Sequence, residues 1–185
     1  FCSMSTSQFH PWVHRIAVLT TVLALLPIVM GALVTSKDAG MAFMDWPSSD
    51  GQNMLLYPWL KSAGDKFLEH GHRLAGIVIG LAAIALVIVT LANESRRWVR
   101  WLSAIILLCV IGQGILGGQR VLMDARGLAF VHGLFAACVF SLMATMAVVT
   151  GRKWFEPAAE LSASSLRRVR TLAAMTVGVT FTQYW

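Results

Sequence analysis

A chain of 185 residues that is 57% hydrophobic and 13% charged lies well outside the soluble globular range of about 45–50% apolar and about 25% charged residues. Disorder is excluded by the same numbers, and three scattered cysteines are too few for a disulfide-built scaffold. The formal charge of +6 is concentrated in short segments between apolar runs, where membrane topology accounts for it, so nucleic-acid binding is not expected.

Crossing a bilayer core of about 30 Å takes roughly 20 helical residues. Four apolar runs reach that length: Ile16 to Thr35, Phe67 to Ala92, Trp98 to Gly118 and Leu128 to Thr150. Pro27 predicts a kink in the first, and that run reads as a membrane span, not a cleaved signal. A fifth run covers 171–185 and is still apolar at Trp185, about five residues short of a span. The sequence therefore reads as a fragment that stops inside a helix, and it opens on Phe1 with its first methionine at Met4.

Lysine and arginine accumulate in short cytoplasmic loops. Arg96, Arg97 and Arg100 follow the second run, and Arg152, Lys153, Arg167, Arg168 and Arg170 follow the fourth. These loops, the N-terminal segment 1–15 and the basic linker 151–170 are expected inside. The segment from Ser36 to Lys66 mixes lysines with Asp38, Asp45, Asp50 and Asp65 and is expected outside. A faint internal echo joins Gly31-Ala-Leu-Val, at the end of the first run, to Gly118-Gln-Arg-Val121, at the end of the third. Each is followed by an outer loop and a descending helix with a histidine near its start, the pattern of a duplicated hairpin.

Ionisable groups inside membrane spans are costly and mark function by default. The second run opens Glu69-His70-Gly71-His72-Arg73, and the fourth opens Gly127 to His132. His72 and His132 each fall about one and a half turns inside a helix of the same direction, so they share a depth and are able to face each other. Such a pair suits the two axial positions of a haem. Gly76 and Gly80 below His72, Ala136 below His132, and Gly114 and Gly118 on the third run leave room for a flat macrocycle, though small residues at this spacing also serve bare helix packing.

Glu69 shares a helical face with His72 and Arg73. It reads either as a proton acceptor beside a bound cofactor or as helix-start electrostatics, with Asp65 as cap and Arg73 as its i,i+4 partner. His70 points about 200° away from His72 and, with His10 and His14, reads as interfacial. Asp45 to Gly51 forms a turn, Tyr57 to Leu60 are expected at the membrane surface, and the length of this outer segment suits a lid. Gln113 and Arg120 flank the glycines of the third run, and Arg120 is expected to snorkel outward or to meet an anionic group. Cys109 and Cys138 read as small apolar residues, with no disulfide.

Five features in order resemble one family: Gly31-Ala-Leu-Val-Thr35, Asp45-Trp46-Pro47, Glu69-x-x-His72-Arg73, Gln113-Gly-x-Leu-Gly-Gly118-x-x-Val121, and His132. Their succession across four spans is similar to the haem A synthases. That resemblance implies an enzyme that oxidises the C8 methyl of haem O to a formyl group for terminal oxidase biogenesis. It implies an all-α integral membrane fold, a four-transmembrane-helix bundle plus the start of a fifth helix, forming one half of a pseudo-repeated eight-helix protein. His72 and His132 would be axial ligands of the haem iron and Glu69 the catalytic glutamate, with Arg73, Gly76 and Gly118 against the cofactor. Haem O would be the substrate, and haem b would belong to the C-terminal half that lies beyond this sequence.

The implied partners are haem O, membrane lipid, haem O synthase, an electron acceptor and a homo-oligomeric copy. With no Arg-rich presequence ahead of the first run, the expected location is a bacterial plasma membrane, multi-pass, N-terminus cytoplasmic. In two respects the sequence departs from the family: no cysteine lies between Ser36 and Lys66, and the second half is missing. The alternatives are a b-type cytochrome carrying electrons through a bis-His haem, and a transporter or assembly factor without haem.

Overall fold

In the computed structural model, residues 8–156, 167–168 and 170–175 are described. The chain divides into two units, Phe1–Phe155 and Glu156–Trp185. Of the second, 167–168 and 170–175 are helical; the remainder of the linker and of the expected fifth span lies outside the described residues.

The first unit is helical, with no strand among the described residues beyond an isolated bridge between Ser49 and Gln52. Its elements are α1 (Pro11–Leu23), α2 (Leu25–Ser36), a short 3₁₀ turn (Trp59–Lys61), α3 (Asp65–Asn93), α4 (Arg97–Leu122), α5 (Arg126–Thr150) and a second 3₁₀ turn (Arg152–Phe155). Four helical stretches are long and apolar enough to cross a membrane: Pro11–Ser36, Asp65–Asn93, Arg97–Leu122 and Gly127–Thr150. The first begins five residues before Ile16, because Pro11 sits at the first helical position where its missing N–H costs nothing. α4 runs on past Gly118 to Leu122, which makes Arg120 helical.

The helix is interrupted at Ala24, between α1 and α2, where the backbone stays in the right-handed region (φ −63°, ψ −19°). Pro27 has no N–H to give the carbonyl four residues earlier, so the ladder fails one turn ahead of the proline itself. The break divides the packing of the first span. α1 packs on both α3 and α5, whereas α2 packs on α3; α3 packs on α4 and α4 on α5. The inner half of the bundle thus closes around Leu86, Ile106, Met143 and Met146, each fully buried. In the outer half, α2 is not a main packing partner of α5.

The Thr20 and Thr21 hydroxyls donate within α1, to Ile16 O and Ala17 O at 2.8 Å each, and lie 3.4 Å from Ala82 O and 3.0 Å from Met143 O on neighbouring helices. Arg96 pairs with Glu94 at 2.7 Å and donates to Val149 O at 2.9 Å, joining the α3–α4 turn to α5. Burial alone would raise the Glu94 carboxyl, but its hydrogen bonds from Arg96 outweigh that and hold it below the ordinary 4.5. His14 is half-buried, and its Nδ1 lies 3.1 Å from Ala147 O, fastening α1 to the end of α5. His10 is exposed.

Candidate functional site

The first two turns of α3 hold the long loop, residues 37–64, in place. Glu69 Oε1 pairs with Arg73 Nη2 at 2.6 Å, with side chains 4% and 7% exposed. Its Oε2 accepts from the backbone N–H of Ala42 at 2.7 Å and Phe43 at 3.3 Å. Arg73 Nη1 in turn donates to Asp45 O at 2.9 Å and Ser48 O at 2.7 Å. Both side chains therefore serve the loop, and the electrostatic pairing expected of a helix start is realised. Asp65 lies in the first turn, where it complements the dipole, while Gly64 occupies the cap position.

The loop is a pinned cap, where its length alone suggested a lid. Asp45 accepts from the N–H groups of Asp50 and Gly51 at 3.1 and 2.8 Å, and Trp59 Nε1 donates to Phe67 O at 2.8 Å. Burial would raise the Asp45 carboxyl, but hydrogen bonds from Ser48, Gly51 and Asp50 and the nearby Arg73 charge together hold it below the ordinary 3.8. His70, expected at the interface, is instead fully buried beneath this cap. Its Nδ1 lies 3.1 Å from Ser49 Oγ and its ring packs 4.7 Å from that of Tyr57. Helical periodicity places His70 away from His72, as expected, but it does not reveal that the loop folds back over that face.

Gly118 also belongs to the cap. A Cβ there would run into the indole of Trp46, so its bare surface seats a loop tryptophan. Arg73, likewise expected against a cofactor, is committed to Glu69 and the loop carbonyls.

The two histidines do meet. His72 on α3 and His132 on α5 have ring centroids 6.2 Å apart and planes at 82°. Each ring lies against a glycine: a Cβ on Gly31 would stand 3.1 Å from His72 Cε1, and one on Gly117 would stand 3.0 Å from His132 Cε1. Gly31 on α2 and Gly117 on α4 thus seat the two rings in the same manner. His72 Nδ1 lies 3.0 Å from Pro27 O, which makes Nδ1 the protonated nitrogen and leaves Nε2 with a lone pair. Gln113 Nε2 donates to His132 O at 2.8 Å and lies 3.4 Å from His132 Nε2.

These residues fit a metal macrocycle held from both faces. An imidazole nitrogen stands about 2 Å from its metal, so two rings flanking one iron have centroids roughly 6 Å apart. His132 Nδ1 and Gln113 Oε1 are buried with no hydrogen-bond partner, polar atoms of the sort that are normally satisfied. A Cβ on Gly76, Gly80, Gly114 or Gly133 would meet no heavy atom within 4 Å, Gly76 and Gly114 being exposed. A flat ligand has room beside these positions.

The profile of the COX15-CtaA family, cytochrome oxidase assembly proteins, matches residues 60–185, which include both histidines, Glu69 and Arg73. The chain belongs to this family. Among its curated relatives, a haem A synthase of Cereibacter sphaeroides is 32% identical over 150 residues, covering 70% of this chain and 38% of that protein. A haem A synthase of Shouchella clausii is 29% identical over 135 residues, covering 71% and 44%, and one of Rhizobium rhizogenes is 28% identical over 134 residues, covering 68% and 36%. This COX15-CtaA chain thus spans about two fifths of the length of the relatives it matches.

Proposed function

We propose that this chain is the substrate-binding half of a haem A synthase, and that its histidine pair holds haem O while the C8 methyl is oxidised to a formyl group. The observation that carries the reading is the pair itself: two imidazoles from α3 and α5, 6.2 Å apart, each seated on a glycine of another helix. Membership of the COX15-CtaA family and likeness to curated haem A synthases support the same substrate.

In this reading His72 and His132 would hold the haem iron, and Gly76 would leave space for the macrocycle. The bound iron and an external electron acceptor would supply the four-electron redox chemistry, with the formyl oxygen entering from water or dioxygen, because no side chain removes electrons from an unactivated methyl carbon. The protein supplies orientation, exclusion of water and a proton acceptor. Glu69 is that acceptor, one turn outward of His72, and Arg73 with the Ala42 and Phe43 N–H groups orients its carboxylate. A haem b is assigned to the half of the protein beyond this chain. Haem O synthase is the natural donor of the substrate, and a homo-oligomer in lipid is the proposed assembly.

The proposed orientation puts Arg15, the α3–α4 turn and Arg152 on the cytoplasmic side of a bacterial plasma membrane. It is supported by the contacts that gather these segments at one end of the bundle, His14 with Ala147 and Arg96 with Val149. The test is to express the intact reading frame in a membrane host that makes haem O and to chromatograph the haems extracted from wild type, Glu69→Gln and His132→Ala. Hydroxymethyl or formyl haem in wild type, arrested in the variants, is the expected result. Unmodified haem throughout, indifferent to Glu69→Gln, would make the chain an electron carrier instead.

A further inference from the structure

Four described arginines of the bundle are partly withdrawn from solvent, Arg73, Arg96, Arg100 and Arg120. Arg100 donates to Glu94 O beside the Glu94–Arg96 pair. Arg73 and Arg96 each hold a carboxylate, at 2.6 and 2.7 Å. Arg120, half-buried in the last turn of α4, has no carboxylate partner among the described residues. Its Nη2 donates to Gly40 O at 2.7 Å, and none of its other donors makes a bond to the described residues. A half-buried guanidinium satisfied by a single carbonyl is costly near a bilayer unless an anion meets it.

Its position says which anion. Arg120 is three residues beyond Gly117, on nearly the same face of α4 and about 4.5 Å further outward. Gly117 carries the His132 ring, so the cation stands one turn above the histidine pair and beneath the loop. Gly40 is shaped to it, since a Cβ at that position would run into the guanidinium. The planar fork of arginine suits bidentate capture of a carboxylate.

We propose that Arg120 binds a propionate carboxylate of the haem and so fixes the macrocycle's rotation between His72 and His132. This inference rests on the haem reading given above. Haem carries its two propionates on one edge, and the C8 methyl shares a pyrrole ring with one of them. A propionate held at Arg120 therefore brings that methyl to the outer end of the site, the end at which Glu69 is fixed.

The test is an absorbance titration of the chain in phosphatidylcholine nanodiscs with ferric haem and with its dimethyl ester, which keeps the iron and the ring but lacks both negative charges. Wild type is expected to bind the free acid roughly tenfold or more tightly than the ester. Arg120→Gln is expected to abolish that preference while ester affinity stays at the wild-type value, and Arg120→Lys to restore part of it. Unchanged ester binding is the control that the loop and the site remain folded. Arg120→Gln that keeps the wild-type preference would overturn the proposal, and so would an equal loss of both ligands, which would mean that Arg120 acts only by holding the loop. Phosphatidylglycerol that co-purifies with wild type and not with Arg120→Gln, with acid and ester bound alike, would give the cation to a lipid phosphate and also overturn it. If wild type binds neither compound, or if His72→Ala and His132→Ala bind both as wild type does, the haem reading itself fails and this inference with it.

Discussion

The imidazoles of His72 and His132 face each other with centroids 6.2 Å apart, and each leans on a glycine of a different helix, Gly31 on α2 and Gly117 on α4. All four membrane spans thus contribute to one pair. A side chain at either glycine must push its ring toward the other. Gly31→Val and Gly117→Val are each expected to cost about 1–3 kcal/mol in thermal or denaturant unfolding. Each is also expected to weaken haem binding more than His10→Ala, which alters an exposed histidine remote from the pair. Absorbance titration of the three variants checks this.

The helices and the depth of the histidines are legible in the sequence because apolar length and a rise of about 1.5 Å per residue determine them. Where a helix begins is less so: Pro11 starts α1 for reasons of backbone geometry, while hydropathy marks Ile16. Two adjacent glycines at 117 and 118 look alike in a pattern, yet one seats His132 and the other Trp46. Only the rotation of α4 against its neighbours separates them. The buried setting of His70 was equally hidden, since no periodicity describes a loop. Its one signal was compositional, because Phe43, Trp46, Tyr57 and Trp59 need a surface to cover, and the adjoining face of α3 offers it.

Glu69 both orients the loop and is the proposed proton acceptor, and the two roles separate by mutation. Removing the carboxylate from a pair whose side chains are 4% and 7% exposed leaves a buried guanidinium uncompensated, a loss of about 3 kcal/mol. Glu69→Gln keeps an amide oxygen for Arg73 and is expected to lose less than Glu69→Leu. Limited proteolysis within residues 37–64 should accelerate in the order wild type, Glu69→Gln, Glu69→Leu. Arg73→Met frees the same loop but retains the carboxylate, so it is expected to keep part of the turnover that Glu69→Gln abolishes. Equal turnover in the two variants would assign Glu69 to the loop alone.

The loop turn should also respond to acid. Asp45 has its carboxyl held below the ordinary 3.8, so the folded turn binds fewer protons than the open chain. Its contribution is complete above 3.8 and is lost as pH falls through the depressed value. Proteolytic protection of residues 45–51 is therefore expected to be insensitive to Asp45 ionisation near neutral pH and to decline only in strong acid, followed with an acid-active protease. Asp45→Asn removes that acid-dependent part and lowers protection at neutral pH, since an amide is a weaker acceptor for the Asp50 and Gly51 N–H groups.

Gly76 offers the sharpest separation between a ligand site and ordinary helix packing. If small residues along α3 served only to let helices approach, a methyl group at Gly76 would press on a neighbouring helix and destabilise the bundle. In the structure a Cβ there meets no heavy atom within 4 Å, so Gly76→Ala is expected to leave the fold intact. Its stability should rise by a few tenths of a kcal/mol to about 1 kcal/mol, because alanine restricts the unfolded chain and favours the helix. Haem binding is expected to move the opposite way, weakening as the methyl enters the space proposed for the macrocycle face. The two measurements on one variant therefore diverge in sign: unfolding reports the helix, and the absorbance titration reports the space beside it. A stabilised Gly76→Ala protein that binds haem as tightly as wild type would move the macrocycle away from this side of α3, leaving the histidine pair to define its plane without it.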